Sequence, residues 1–170
     1  MNPLDAWIDD VSRCLAEHMR GFEARLGYPP GENVLRRATP EQAEVAARLL
    51  SSVGGPRDLL DFYARVDSIS MPDVGNGIFV SPAREVADGE ARGWPTKLSG
   101  AVEDEIMVFA SDGGGAMFAL SRAGDRAYRL SWGSLIGSTY DVPEDGLHVL
   151  PNGFRGFLEY VQAELSKARR

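Results

Sequence analysis

The run Ile106-Met107-Val108-Phe109-Ala110, the turn Ser111-Asp112-Gly113-Gly114-Gly115 and the run Ala116-Met117-Phe118-Ala119-Leu120 constrain this chain more than any other stretch. Two apolar segments of strand length flank a glycine-rich connection, so the pattern predicts two buried strands joined by a tight turn. Glycine supplies the positive φ that such turns require. A phosphate loop would end in Gly-Lys-Ser/Thr and open a helix, and neither follows here. The segment therefore specifies a sheet core and not a chemistry.

A chain of 170 residues suits one domain, which at that size buries roughly 70% of the surface its unfolded form exposes. The single cysteine, Cys14, cannot close an internal bridge; at a helical position among apolar residues it reads as a small buried hydrophobe. There is no leader-like basic start with an apolar run, and no apolar stretch approaches the ~20 residues that span a bilayer. The expectation is a cytoplasmic protein that does not engage a membrane. A formal net charge of -7 opposes nucleic-acid binding, which needs cations to displace counterions from phosphate. It favours a basic or neutral protein partner.

Along the chain, Asn2-Pro3 reads as an N-cap followed by a proline at the first helical position. Leu4, Trp7, Ile8, Val11, Leu15, Met19 and Phe22 then recur at helical spacing, with His18 at the edge of the stripe, until Leu26-Gly27-Tyr28-Pro29-Pro30-Gly31 ends it. Thr39-Pro40-Glu41-Gln42 is a capping box for a second helix ending at Gly54-Gly55. Pro56 opens a third through Tyr63. The period then changes to that of strands at residues 69–71 and 78–80, with Asn76-Gly77 as a hairpin turn between them. Strands follow at Ile106–Ala110, Ala116–Ser121 and Ala127–Trp132 as an antiparallel meander, because connections this short cannot carry a parallel crossover. Ala83–Gly100 and Gly133–Gly146 read as largely irregular. Leu147–Leu150 reads as an edge strand, and Phe154, Phe157, Leu158, Val161 and Leu165 form the stripe of a closing helix.

The order of these segments, with Leu59-Leu60-Asp61-Phe62-Tyr63 on a proline-led helix, the strand-turn-strand unit from Ile106 to Leu120, and Phe154-Arg155-Gly156-Phe157-Leu158 on the last helix, resembles the SUKH superfamily. That group includes SMI/KNR-type regulators and many bacterial immunity proteins. The resemblance covers roughly residues 56–165 and departs from the family pattern after Tyr63, where Asn76-Gly77 comes late. It implies a non-catalytic binding module, commonly an immunity protein that neutralises a cognate toxin such as a nuclease, with a regulatory or scaffold module of the same fold as the alternative and a small-ligand binder or hydrolase behind it. It transfers no catalytic residue.

The residues themselves carry little chemistry. His18, His148 and Cys14 lack metal-ligand spacing, and Asp73, Asn76 and Asp112 lack the alternating ladder and distal Glu of a calcium loop. No metal and no cofactor are expected. Ser111 or Ser134 with His148 and Asp112 or Asp141 makes a hydrolase only on paper, without a Gly-x-Ser-x-Gly elbow. The glycine turn could also form an anion nest of backbone N–H groups. Two acidic groupings stand out: Glu103, Asp104 and Glu105, and Asp141, Glu144 and Asp145. Charge runs of this kind are commonly solvated turn faces; their functional reading is a patch that steers a basic partner. Of the three tryptophans, Trp94, beside Pro95 in a loop, is the expected interface anchor, with a loop cover over the core as its alternative. The expected fold is α+β: a twisted, mostly antiparallel sheet of about five or six strands flanked by helices from both chain ends. The expected plan is one domain, helical over 1–66, sheet over 68–150 and a closing helix over 151–168. Phe109, Met117, Phe118, Leu120, Tyr128 and Leu130 are the expected core-facing residues, alternating with exposed neighbours.

Overall fold

A computed structural model describes residues 1–170 and has the expected α+β class, with a larger sheet than the sequence suggests. In chain order the elements are α1 (Pro3–Met19), α2 (Phe22–Leu26), β1 (Val34–Arg37), α3 (Pro40–Ser52), α4 (Arg57–Tyr63), β2 (Val66–Met71) and β3 (Ile78–Val80). They continue with α5 (Ala83–Ala87), β4 (Lys97–Gly100), β5 (Asp104–Ser111), β6 (Met117–Ser121), β7 (Ala127–Leu130), β8 (Ser134–Ile136), β9 (Thr139–Val142), β10 (Leu147–Leu150) and α6 (Phe154–Ala168). No helix is long and apolar enough to cross a membrane.

The helix starts follow their sequence signals. The Asn2 side chain accepts from the Leu4 N–H at 2.9 Å, with Pro3 in the first turn. Thr39 and Gln42 form the reciprocal capping box of α3. The first helix is shorter than its apolar stripe, because Gly21 adopts φ 67° and the five-residue α2 then restarts the chain. Residues Trp7, Ile8, Val11 and Leu15 of α1 are buried. The Trp7 indole N–H donates to the Leu158 carbonyl at 3.0 Å, Gln162 donates to Asp10 at 2.8 Å, and Arg169 pairs with Glu17 at 2.6 Å. These three ties run in the same direction along both helices, so α1 and α6 pack parallel. His18 is buried at the edge of the stripe, its Nε2 3.1 Å from the Asp73 carbonyl oxygen.

The sheet runs β1-β2-β3-β5-β4-β9-β8, with β6, β7 and β10 continuing from the other side of β5. All pairings are antiparallel except β4 with β9. The eight-residue β5 is shared: Phe79 and Val80 of β3 pair its C-terminal half, and Lys97 and Leu98 of β4 pair its N-terminal end. This arrangement lets β4, β9 and β8 fold over the face of β5-β6-β7 opposite the helices.

Two cores result. Phe109, Phe118, Leu120 and Ala127 face the helices with Phe62, Phe154 and Phe157. Ring centroids of 4.8 Å for Phe109–Phe157 and 5.1 Å for Phe118–Phe157 give the edge-on contacts that aromatic quadrupoles favour. Ile106, Val108, Ala119, Tyr128 and Leu130 face the other way and pack on Leu98, Tyr140 and Val142 of the small layer. A bulge makes Phe109 the extra residue of β5, since Val108 pairs Ala119 and Ala110 pairs Phe118. Both Phe109 and Ala110 thereby join the helix-side core.

Several expectations change. Residues 106–110 are all buried, so the core-facing residues do not alternate with exposed neighbours; Met117, Tyr128 and Leu130 belong to the second core. A continuous apolar run is the signature of a strand covered on both faces. The helical section is interrupted by β1, and β2 starts at Val66. Asn76-Gly77 is not a two-residue turn, because Met71 pairs Ile78 across a six-residue loop in which Gly75 and Gly77, but not Asn76, have positive φ. The stretch from Gly133 to Gly146 holds two strands and a single turn of 3-10 helix at Glu144–Gly146.

Candidate functional site

The small layer is built by close backbone approaches. The β8–β9 hairpin closes with Ile136 opposite Thr139, leaving Gly137-Ser138 as its turn, with Gly137 at φ 64°. Glycine first in a two-residue turn matches the twist of the flanking strands. The Ser138 carbonyl accepts from the Thr96 and Lys97 N–H groups at 2.8 and 3.2 Å, pinning the hairpin tip to the start of β4. Gly100, at φ 90°, lies where a Cβ would meet the Asp141 carboxylate and the Val142 carbonyl, and Ala101 N–H donates to that carbonyl at 2.8 Å. The backbone thus locks β9 alongside β4.

The register assigns every residue of this layer to a face. Directly paired residues point the same way, so Leu135, Tyr140, Leu98 and Asp104 face the interlayer core. Lys97, Ser99, Glu105, Thr139, Asp141, Ser134 and Ile136 lie on the outer face. Glu105 and Asp141 therefore share one surface, with exposed Glu103 just ahead of β5. Asp104 does not join them. Its partly buried carboxylate accepts from the Tyr128 hydroxyl at 2.6 Å and the Ser121 hydroxyl at 3.2 Å, on the inner face of the sheet. Glu144 and Asp145 are exposed on the turn that leads from β9 into β10, and Asp141 is exposed on β9.

Trp94 is half-buried and packs against both cores, so it is a seal between the layers and not an exposed anchor. The exposed tryptophan is Trp132, at 53%. Of seven exposed large apolar side chains, four lie between residues 132 and 149: Trp132, Leu135 at 49%, Ile136 at 70% and Val149 at 56%. The same segment carries Asp141, Glu144 and Asp145 and has no lysine or arginine. Trp132 abuts the acidic turn directly: Ser131 N–H donates to the Gly146 carbonyl at 2.8 Å, and a Cβ on Gly146 would run into the Trp132 carbonyl. Exposed aromatic and aliphatic side chains close in sequence to unpaired carboxylates match the composition of a protein-docking surface.

Sequence reasoning placed the carboxylates here but missed Trp132, Leu135, Ile136 and Val149. The available signal was Ile136-Gly137-Ser138-Thr139, a two-residue turn flanked by β-branched residues.

Elsewhere the polar groups are largely committed to one another, with buried His18 Nδ1 and Arg129 Nε the two left without a hydrogen-bond partner. At the glycine turn, Gly114 and Ala116 N–H donate to the Asp112 carboxylate at 2.8 and 2.9 Å, and Gly113 N–H donates to the Asn76 carbonyl at 2.8 Å. Arg129 closes the arrangement on Asp112 at 3.0 Å. The nest is thus filled by the protein's own carboxylate. Ser134 on β8 lies opposite Asp141 while His148 on β10 lies opposite Arg129 on β7, and no hydrogen bond joins His148 to Ser111 or Ser134. A groove of about 950 Å³ lies where the N-terminal ends of α1, α4 and α6 meet. Its cations are internally paired: Arg57 with Asp61 at 3.7 Å, Arg65 with Asp5 at 3.1 Å and Arg155 with Glu159 at 3.2 Å. Burial, with the Asp61 charge nearby, holds the Asp58 carboxyl above the usual carboxylate range. Comparison with known proteins finds no family model that matches the chain and no curated protein with significant similarity to it.

Proposed function

We propose that this chain is a non-catalytic protein-binding module whose docking surface is the 132–149 segment with Glu103 and Glu105 beside it. The reading rests on one observation: Trp132, Leu135, Ile136 and Val149 are exposed within a segment whose only full charges are the carboxylates Asp141, Glu144 and Asp145. Buried aromatic and aliphatic anchors supply affinity at such a surface, and rim carboxylates select a basic partner and speed its approach. The resemblance to the SUKH superfamily supplies the biological role. The partner is then a cationic toxin, such as a nuclease, that the module neutralises in the cytoplasm by covering it.

The experiment is affinity capture from the native source with the wild type, with Trp132→Ala/Ile136→Asp and with Asp141→Lys/Glu144→Lys/Asp145→Lys. A basic protein retained by the wild type and lost from both variants is the expected result. Retention of that protein by both variants overturns the surface, and retention of no basic protein by the wild type overturns the module.

A further inference from the structure

The ten-stranded sheet ends in three edges, and they are not equivalent. Edge strands expose unpaired N–H and C=O groups, which proteins commonly defend with charge, proline or brevity. On β1 the exposed Arg36 and Arg37 sit in ion pairs with Glu32 and Asp9 at 2.6 and 2.5 Å. The β8 edge is three residues long, bracketed by Gly133 and Gly137. The third edge is β10, Leu147-His148-Val149-Leu150, which pairs only with β7 and carries no lysine, arginine or proline.

The register shows which backbone groups β10 leaves open. Residue pairs in an antiparallel ladder alternate between bonded and unbonded. Ser131 N–H donates to the Gly146 carbonyl, and the next pairs are Leu130 with Leu147, Arg129 with His148 and Tyr128 with Val149. His148 therefore bonds to β7, while Leu147 and Val149 turn their backbone groups outward. The Leu147 N–H is spent on the Glu144 carbonyl. The Leu147 C=O and the Val149 N–H and C=O remain, aimed away from the sheet. The Val149 side chain points to the same face as Tyr128, toward the interlayer core. That core is closed by hydrogen bonds where β4 meets β5 and open where β8 and β10 end. Its outermost side chains at those two edges are Leu135 and Val149, both about half-exposed.

We infer that β10 is a strand-addition site, taking an extended, basic segment of the partner protein whose alternate residues are apolar. The inference rests on the protein-binding reading above and gives its mode. Backbone pairing to Leu147 and Val149 supplies the attachment. The inward apolar residues of the added strand continue the row Ala119, Tyr128 and Val149 over the open side of the second core. Glu144 and Asp145, at the start of β10, select lysine or arginine at that end of the segment. A second copy of this chain would bring another net charge of -7 to the same place, which argues for a cationic occupant.

The probe is a capped peptide of alternating valine and lysine, compared with the same peptide N-methylated at every second residue, which keeps charge and side chains but removes ladder donors. Binding is read by the indole N–H chemical shift of Trp132 and the amide chemical shifts of β10. The unmethylated peptide should bind and the methylated one should not. Val149→Pro removes the outward N–H and spares the bonds to β7, so it should weaken binding about three- to tenfold, the value of one hydrogen bond. Val149→Thr should stay within about twofold. Glu144→Gln/Asp145→Asn should weaken binding and flatten its salt dependence. If Val149→Pro does not fold, the two peptides on the wild type decide the matter alone. Equal binding of both peptides, or binding of neither, overturns strand addition, as does a peptide-free dimer that Val149→Pro abolishes. Capture through Trp132 and Ile136 with neither peptide bound leaves the module reading standing without this mode. Peptide binding with no captured basic protein does the reverse.

Discussion

Tyr128 on β7 donates its hydroxyl to Asp104 at the start of β5, 2.6 Å across the interlayer core. This bond ties the central meander to the strand end that carries β4. It also turns one carboxylate of the Glu103-Asp104-Glu105 run inward and gives it a structural task. Burial, and then the bond to Asp104, pushes the Tyr128 phenol up to about 12.

Tyr128→Phe should therefore destabilise the protein by about 1–3 kcal/mol, because Asp104 keeps its burial and loses its strongest neutral donor. The pH dependence has a definite sign. A phenol whose pKa is raised on folding contributes its full stability below the ordinary value of about 10 and loses it as pH rises through the folded value. Urea midpoints of wild type and Tyr128→Phe should differ most below about pH 10 and converge toward pH 12. A gap that widens across that window would contradict the assignment.

Phe118 is fully buried, with ring centroids 5.1 Å from Phe157 and 5.0 Å from Tyr160. Phe118→Ala should cost about 3–5 kcal/mol in chemical unfolding, the combined loss of transfer energy and of packing around a cavity. A loss below about 1 kcal/mol would require the β5–β6 register to be different.

The strands with a long apolar signature were legible in the sequence, and the four that were missed share a physical reason. β1, β4, β8 and β9 are three or four residues long, none has more than two buried residues, and β8 is exposed throughout. Too few apolar positions remain to show a period of two. The run Ile106 to Ala110 nevertheless announced a second covering layer, since a strand with one wet face does not spend five successive apolar residues. The candidate surface was legible only in its charges. Whether an apolar residue such as Trp132 is exposed depends on tertiary packing, and its neighbour in space, Gly146, is far along the chain. Trp94 looked more exposed than it is for the same reason: the two cores that enclose it come from separate segments.

The Asp112 side chain is only 1% exposed and organises the glycine turn through Gly114, Ala116 and Arg129. Asp112→Ala strands two backbone donors and a half-buried guanidinium, so it should cost roughly 2–4 kcal/mol. Asp112→Asn can still accept from both N–H groups and should recover part of that loss. Thermal unfolding of the two variants separates the roles: equal destabilisation would mean that the ion pair with Arg129 dominates and the turn bonds contribute little.

With Asp104 engaged by Tyr128 and Ser121, five carboxylates of the two acidic groupings remain at the surface. Glu103, Glu105 and Asp141 lie on or beside the outer face of the small layer, with Glu144 and Asp145 on the adjoining turn. Reversal of Glu103, Glu105 and Asp141 to lysine touches no buried bond, so stability should change by no more than about 0.5 kcal/mol per site. Rim charges act chiefly on encounter, so association with a basic partner should slow by about tenfold or more at low salt, and its salt dependence should flatten while dissociation changes little. Trp132→Ala should do the opposite, raising the dissociation rate with little effect on association, because a central aromatic holds the formed complex. Measured by surface-bound kinetics against the captured partner, an association rate unmoved by the triple reversal would make these carboxylates ordinary solvated residues. A dissociation rate unmoved by Trp132→Ala would move the interface off the 132–149 segment.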